Sequence, residues 1–159
     1  MSDATSPASA QPHSAPSVVA RTELLLPSIV GWERVAMQAA SATARLAGLP
    51  VDRVEDVQTA VCEATLNAME HGNGFDAHRL VRVLFVTRTD GLEVQVEDER
   101  HAFFHIPPPS AQAPKLVDRL AGSQDARGWG LFLICSLMDE VEVVNAGRGA
   151  VLRMFARRL

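Results

Sequence analysis

The 159-residue sequence has few cysteines, no surplus of cationic side chains and no long hydrophobic run. Its two cysteines, Cys62 and Cys135, are too few for a disulfide scaffold or a four-cysteine zinc site. Lys and Arg number 15 against 19 Asp and Glu, and the resulting net charge of −4 argues against a nucleic-acid binder, which needs clustered cations. The sequence also lacks the roughly 18–20 apolar residues of a membrane span and the basic and apolar regions of a secretory signal. These absences favour a soluble, cytoplasmic protein without a direct nucleic-acid or membrane partner.

Composition divides the chain into a tail and one domain. Residues 1–20 are rich in Ala, Ser and Pro and have no hydrophobic period. We predict a disordered tail there, because these residues bury too little apolar surface to offset the entropy of ordering. Hydrophobic residues make up 47% of the sequence and charged residues 21%, which is ordinary for a globular protein. Residues 21–159 are therefore expected to form a single domain.

Hydrophobic periodicity and turn residues predict five strands and three helices in this domain. The strands are expected at 21–27, 80–87, 92–98, 141–144 and 150–156, and the helices at 29–47, 52–71 and 128–138. Ser28 is the candidate N-cap of the first helix, and the spacing of Asp52 and Glu55 resembles a capping box for the second. Asp90-Gly91 predicts a hairpin. The order of elements predicts an α+β two-layer sandwich, with a mixed or antiparallel sheet that carries the helices on one face.

A long segment at 100–126 interrupts the regular pattern. Pro107, Pro108, Pro109 and Pro114 exclude a regular central strand or helix over much of it. So long a loop in a small domain is usually functional or mobile.

The second predicted helix has an apolar stripe and an opposing polar face. The stripe consists of residues three and four apart: Val54, Val57, Val61, Ala64 and Ala68. On the polar face Glu63, Asn67 and His71 follow each other at intervals of four residues, so a carboxylate, an amide and an imidazole form one row. A carboxylate can accept a proton, and an amide oxygen is a suitable ligand for Mg²⁺. Periodicity alone favours the alternative of an ordinary solvated helix face.

Two further segments carry candidate ligand-binding residues. Arg127-Gly128-Trp129-Gly130-Leu131 opens the last helix, where free N–H groups and the close backbone approach that glycine permits favour a phosphate. Arg127 can add a charge-assisted contact. Asp98 ends a strand, where its carboxylate can accept a hydrogen bond from an exocyclic amine. The alternatives are a glycine loop that enters a helix, a core position for Trp129, and an Asp that ends a strand in a turn.

Other reactive residue types do not form a convincing site. His101 and His105 lie in a Phe- and Pro-rich segment without a clear helix, so a zinc site with His71 is not supported. Cys62 and Cys135 fall among apolar residues of predicted helices and are expected to be buried structural thiols.

The order and spacing of these segments resemble a known family. Glu63-Ala-x-x-Asn67-Ala-x-x-His71-Gly72 is followed by Val96-Glu97-Asp98-Glu99 and then by Arg127-Gly128-Trp129-Gly130-Leu131-Phe132-Leu133-Ile134. This arrangement is similar to that of the anti-sigma factor serine-protein kinases of bacterial partner-switching systems. These kinases belong to the GHKL ATPase superfamily, which has the Bergerat fold of histidine-kinase catalytic domains. The segments Leu49-Pro50 and Leu137-Met138-Asp139-Glu140-Val141 also resemble the family, and the likeness covers about residues 21–158.

The resemblance implies a role for each matching residue. Glu63 would be the general base that orients the serine hydroxyl of the substrate protein, and Asn67 would be the Mg²⁺ ligand. His71 and Gly72 would close the nucleotide site. Asp98 would accept a hydrogen bond from the adenine amine.

The resemblance also implies where the rest of ATP binds. The phosphates would be held at the start of the last helix by one continuous run: Arg127, Gly128, Trp129, Gly130 and Leu131. Residues 100–126 would be the lid over the nucleotide. Members of the family usually have glycine at two positions after the adenine aspartate, whereas this sequence has Arg100 and Ala102 there.

By resemblance, the protein would bind and inhibit a sigma factor or similar regulator and would use Mg·ATP to phosphorylate a serine of an anti-sigma factor antagonist. An alternative is a kinase-impaired binding module that sequesters its regulator by contact alone, and Arg100 and Ala102 favour this alternative. A detached histidine-kinase ATPase domain is disfavoured, because no phosphoacceptor helix pair precedes residue 21 and the lid is short. Members of the family commonly form homodimers through the sheet edge and the first helix, while the residues themselves leave the oligomeric state open.

Overall fold

A computed structural model describes residues 16–100, 127–145 and 150–158 of the chain. Its elements in chain order are β1 (Val18–Pro27), α1 (Glu33–Leu46), α2 (Val51–Asn67), β2 (Leu80–Arg88), β3 (Gly91–Asp98), α3 (Arg127–Leu137), β4 (Glu140–Asn145) and β5 (Ala150–Arg157). One turn of π-helix, Ala68–Gly72, continues directly from α2. Except for Arg100, the predicted lid at 100–126 lies outside the described residues. Among the helices that are described, none is both long and apolar enough to cross a membrane.

The five strands form one antiparallel sheet in the order β1-β2-β3-β5-β4. The central strand β3 pairs with β2 in the register Val83↔Val96 and with β5 in the register Val94↔Met154. These side chains are buried in the same core as the helices, because alternate residues of each strand face the helical layer. The prediction of an α+β sandwich is confirmed. Of the two predicted sheet types, mixed or antiparallel, the described sheet is antiparallel.

Small side chains line the contact between α1 and α2. Ala36, Ala40 and Ala44 follow each other one turn apart in α1 and are fully buried. They share a core with the predicted apolar stripe of α2, all of which is buried: Val54, Val57, Val61, Ala64 and Ala68. Because this stripe faces the core, the polar face of α2 with Glu63 and Asn67 points away from it, and α3 packs against that face.

The structure corrects the predicted start of the first helix. α1 begins at Glu33 rather than Ile29, and its N-cap residue is Trp32. The Ser28 hydroxyl does not cap the helix, because it donates to the carbonyl oxygen of Arg79 at 3.0 Å. Ser28 therefore belongs to a contact between the end of β1 and the segment before β2.

The second helix also starts differently from the prediction. Its N-cap is Pro50, and no described side chain donates or accepts a capping hydrogen bond there. Asp52 lies inside the first turn, where its charge complements the positive end of the helix dipole, so it does not form a capping box with Glu55.

β1 begins at Val18, which lies inside the predicted tail of residues 1–20. Its pairing with β2 extends to Val18↔Arg88, with a register shift between Val18 and Ala20. The partner strand satisfies the backbone of these extra residues and so offsets the entropy of ordering them. The rest of the predicted tail, residues 1–15, lies outside the described residues.

Candidate active site

A change of helix type interrupts the polar row predicted on α2. The chain is α-helical up to Asn67, and Ala68–Gly72 then form a π turn, closed by a main-chain hydrogen bond of 2.8 Å from Asn73 to the first residue of the turn. Glu63 and Asn67 share one helix face as predicted. The wider turn rotates His71 away from the α-helical spacing, and its side chain is exposed. Such π turns are frequent at functional sites.

Gly130 in the first turn of α3 lies directly over Glu63 and Asn67. A Cβ atom on Gly130 would lie 2.8 Å from Nδ2 of Asn67 and 3.2 Å from Oε2 of Glu63. Real Cβ atoms essentially never come as close as 2.8 Å to another heavy atom, so glycine is what allows the backbone to approach this far. The structure thus brings the second predicted segment onto the polar face of α2.

The side chain of Asn67 has a buried polar atom that bonds to none of the described residues. Its Nδ2 is shielded from solvent and has no hydrogen-bond partner among the described residues. Burying such a donor unsatisfied costs about 1–3 kcal/mol, which indicates that it is placed to meet an acceptor atom of a ligand. The same amide carries an oxygen of the kind that Mg²⁺ accepts as a ligand. Asn67 therefore fits the metal-binding role that the resemblance implies.

Gly72, the last residue of the π turn, packs against Asp98 at the end of β3. A Cβ atom on Gly72 would lie 2.5 Å from Oδ2 and 2.6 Å from Cβ of Asp98, a space that two side chains cannot share. Asp98 is only 1% exposed. A carboxylate that is shielded from bulk water makes stronger and more selective hydrogen bonds than an exposed one. The end of the π turn and the predicted adenine-binding residue therefore form one continuous site.

Asn73 is a residue that sequence reasoning missed. It is 1% exposed, and its side chain makes hydrogen bonds to Ser28, Leu80 and the main chain of Glu99. An Asn between two glycines is the usual sign of a surface turn. Its neighbours in the sequence therefore gave no indication that it is buried.

The predicted phosphate-binding run forms the N-terminal turn of α3. Arg127 and Gly128 begin the helix, so their main-chain N–H groups lie at the end where the helix dipole favours an anion. Trp129 is half-buried, whereas Leu131 is buried in the core. Any contact of Leu131 with a ligand is therefore made by its main chain.

Arg100 lies beside the loop that follows the π turn. Its Nη1 is 3.5 Å from the position that a Cβ atom on Gly74 would occupy. The cationic side chain that replaces the first glycine of the family pattern is thus at the edge of the site, close in sequence to Asp98. Ala102, which replaces the second glycine, lies outside the described residues.

The thiols of the described residues are not activated. Burial raises the pKa of the Cys62 and Cys135 thiols, and the carboxylates of Glu33 and Glu63 raise the pKa of Cys62 further. Both cysteines are half-buried, so the prediction that they are buried is wrong. A thiol with a raised pKa nevertheless stays protonated and unreactive near neutral pH.

The described histidines do not form a metal site either. In residues 16–100, 127–145 and 150–158, no three His, Cys, Asp or Glu side chains are grouped so that they could hold a metal ion. His101 and His105 lie outside these ranges.

Comparison with known proteins assigns this fold and site to a class. The family described as the histidine kinase-like ATPase domain matches residues 32–156, a range that contains every predicted site residue. The chain belongs to this family.

Within that class, the chain is similar to a set of bacterial kinases. Serine-protein kinase RsbW of Bacillus subtilis (strain 168) is 34% identical over 119 residues, which cover 75% of this chain and 72% of the relative. The RsbW protein of Bacillus licheniformis is 31% identical over 133 residues, or 83% of this chain and 81% of the relative. That of Bacillus pumilus (strain SAFR-032) is 31% identical over 137 residues, or 83% and 82%.

These matches confirm the predicted resemblance to partner-switching serine kinases and, at the level of the family, the prediction of an ATP-dependent protein kinase. The roles of the individual site residues stay predictions.

Proposed function

We propose that this protein is an ATP-dependent serine kinase of the partner-switching type. It binds and inhibits a sigma factor or similar regulator, and it phosphorylates a serine of an anti-sigma factor antagonist. The observation that carries the proposal is the approach of Gly130 to Glu63 and Asn67, because it joins a helix N-terminus suited to phosphates with a carboxylate and an amide suited to act on them. The names of relatives at 31–34% identity support the same activity.

The chain's own residues hold the nucleotide at three places. Asp98 accepts a hydrogen bond from the adenine amine, with Gly72 packed behind the carboxylate and His71 at the exposed rim. Asn67 binds Mg²⁺ through its amide oxygen, and the N-terminal turn of α3, from Arg127, donates main-chain N–H groups to the phosphates. Bound Mg·ATP supplies the transferable phosphoryl group and the cation that offsets its charge.

Glu63 orients the serine hydroxyl of the substrate protein and accepts its proton. It precedes Asn67 by one helical turn and is half-buried, so it is both close to the metal-binding amide and accessible to a protein substrate. Phosphoryl transfer requires mainly positioning and charge neutralisation, and a carboxylate fixed beneath Gly130 supplies the first of these.

Phosphorylation switches partners through electrostatics. A phosphoserine carries about two negative charges at neutral pH, and its burial in an existing interface brings repulsion and a desolvation penalty. The antagonist therefore leaves after it is modified, and the kinase returns to the regulator that it inhibits.

Calorimetric titration with Mg·ATP tests the nucleotide site directly. The parent protein is expected to bind with micromolar affinity. In Asn67→Ala the affinity for Mg·ATP should fall by at least about tenfold to a hundredfold, which is the loss seen when even an outer-shell partner of a metal is removed. Glu63→Gln should bind normally and yet fail to transfer phosphate to an antagonist protein, because it keeps the shape of the side chain but not the base.

Thr59→Ala is the matched control, since Thr59 lies one turn before Glu63 on α2 and is exposed. It should leave binding unchanged. Absence of binding up to millimolar nucleotide, or equal binding by Asn67→Ala, would contradict the proposal.

The kinase-impaired module remains the second candidate, and the position of Arg100 favours it. Its guanidinium lies beside Gly74 at the edge of the site, and the family usually has a glycine at the position of Arg100. If the natural site is impaired, Arg100→Gly combined with Ala102→Gly should raise ATP affinity at least tenfold. An unchanged affinity would remove the reason for this candidate.

A homodimer through β1 and α1 also belongs to the proposal. β1 is an edge strand of the described sheet, and a group of apolar side chains at the junction of β1 and α1 is exposed: Ile29, Val30, Trp32 and Val35. An unpaired edge next to an exposed apolar group is a typical protein-binding surface.

A further inference from the structure

Asn73 is a buried hub that joins three separate parts of the fold. Its Nδ2 donates to the Ser28 hydroxyl oxygen and to the Leu80 carbonyl oxygen, each at 2.9 Å, and its Oδ1 accepts from the Glu99 N–H at 3.1 Å. Both amide hydrogens and the amide oxygen are thus used. The residues that it joins follow β1, begin β2 and follow β3, and they are distant from one another in the sequence.

The hydrogen bonds around Asn73 form a closed ring with Leu80 and Glu99. The Leu80 carbonyl accepts from Asn73, the Leu80 N–H donates to Oε1 of Glu99 at 3.0 Å, and the Glu99 N–H donates to Asn73. Each member is therefore held by two others, and Glu99, the residue after Asp98, is held through both its main-chain N–H and its side chain. Charge-assisted and mutually bonded networks of this kind are stiff.

The hydrogen bonds of Asn73 meet β3 at the end where its described pairing with β5 has stopped. β3 stays paired with β2 as far as Val81↔Asp98, whereas the described pairing with β5 ends at Val96↔Leu152. Asn73 restrains the chain there by its hydrogen bond to Glu99, the residue after Asp98.

The main chain of Asn73 contributes a second link. Its N–H closes the π turn that begins directly after Asn67, and Gly72 at the end of that turn packs against Asp98. One residue therefore connects the turn after the metal-binding amide with the strand end that carries the adenine-binding carboxylate.

We infer that Asn73 is a positioning residue that holds the Asp98 carboxylate in place for the exocyclic amine of adenine. The inference rests on the proposed function, because it requires adenine to bind at Asp98. Asn73 does not touch the nucleotide in this account. It acts through the Glu99 main chain on one side of Asp98 and through Gly72 on the other.

The test compares ATP with purine riboside triphosphate, which lacks only the amino group that Asp98 recognises. In the parent protein ATP should bind about tenfold to a hundredfold more tightly, the range expected of a hydrogen bond to a charged group. Asn73→Ala should reduce this preference to below about threefold while the analogue binds as before. A residue that merely supports the fold would weaken both nucleotides together and leave the ratio intact.

Ser28→Ala is the matched control. It removes a buried hydroxyl that is bonded to the same Asn73 side chain but leaves the bond from Glu99 in place. It should lower stability and keep the preference for ATP. A preserved preference in folded Asn73→Ala, or an equal loss in Ser28→Ala, would overturn the inference.

Amide hydrogen exchange of the unmodified protein keeps the inference testable if Asn73→Ala does not fold. The Glu99 N–H should exchange more slowly than its unprotected rate although the residue is exposed, and ATP should slow it further than the analogue does. Unprotected exchange at Glu99 would overturn the inference. If the parent itself does not distinguish ATP from the analogue, the proposed adenine site is what fails.

Discussion

Arg53 near the start of α2 donates through Nη2 to Oδ2 of Asp139, which lies two residues after the end of α3, at a distance of 2.7 Å. The same guanidinium donates through Nη1 to the carbonyl oxygen of Leu137 at 2.8 Å and so caps the last turn of α3. Asp139 also accepts from the Arg157 N–H of β5 at 2.8 Å. Two helices and a strand are thus joined at the end of α3 that is opposite to Gly130.

Removal of this cap should destabilise the protein. Arg53→Ala removes the side-chain donor from the Leu137 carbonyl and leaves the Asp139 carboxylate with the Arg157 N–H alone of its two donors named above, so the free energy of unfolding should fall by about 1–3 kcal/mol. Urea unfolding followed by circular dichroism measures the change. Arg45→Ala, an exposed arginine in the last turn of α1, is the control and should cost no more than about 0.5 kcal/mol. Similar losses in the two variants would show that the Arg53 contacts contribute little.

Gly130→Ala should separate nucleotide binding from stability. Alanine is favoured over glycine inside a helix by about 1 kcal/mol, which offsets the displacement of the Asn67 and Glu63 side chains. The added methyl nevertheless occupies the space against Asn67, so Mg·ATP affinity should fall at least tenfold. Calorimetry and urea unfolding of the same sample give both numbers.

Ser136→Ala, at an exposed position of the same helix, should change neither quantity. If Gly130→Ala binds ATP as the parent does, the close approach of α3 to α2 is not part of the nucleotide site.

The reactivity of the thiols should follow their raised pKa values. A raised pKa lowers the thiolate fraction at a given pH, so the reaction of Cys62 with a disulfide reagent at pH 8 should be slower than that of free cysteine, and its rate should keep rising at higher pH. Burial is the main cause, and the carboxylates of Glu33 and Glu63 add to it. In a Cys135→Ser background, Glu63→Gln should therefore speed the reaction of Cys62. The assigned cause would be contradicted if Cys62 reacted more slowly in Glu63→Gln than with Glu63 in place, or if its rate did not rise with pH.

The proposed dimer predicts a specific effect of charge at the junction of β1 and α1. Val35→Glu should shift the protein from dimer to monomer in sedimentation experiments, because it buries an unpaired charge in the interface. Val51→Glu is the control: it makes the same change at an exposed valine at the start of α2 and should leave the dimer intact. A parent protein that is already monomeric at micromolar concentration would exclude this interface.

Much of the fold could be predicted from local patterns in the sequence. The apolar stripe of α2, with Val57 and Val61 at its centre, is periodic over four turns and is buried as predicted. The hairpin at Asp90-Gly91 depends on two neighbouring residues, and it forms between β2 and β3 as expected. In such cases the residues that carry the signal also carry the structure.

The features that the sequence did not reveal all depend on contacts between distant segments. Ser28 has the chemistry of an N-cap, yet its hydroxyl is bonded to Arg79 and Asn73. The π turn at Ala68–Gly72 has no residue preference that distinguishes it from a continued α-helix. The capping-box spacing of Asp52 and Glu55 is present, but the N-cap of the helix is Pro50, two residues before Asp52. No local propensity encodes which distant partner a polar side chain will meet.

The π turn makes the site depend on the number of residues as well as on their identity. Deleting one residue between Ala68 and Gly72 would let the backbone continue in α-helical phase, so that the downstream residues would rotate and shift along the axis while every catalytic side chain remained present. Gly72 would then no longer face Asp98, and the residues of α2 and those at the end of β3 would no longer be aligned in one site. A chain of this family could therefore lose its nucleotide site through a change of length alone.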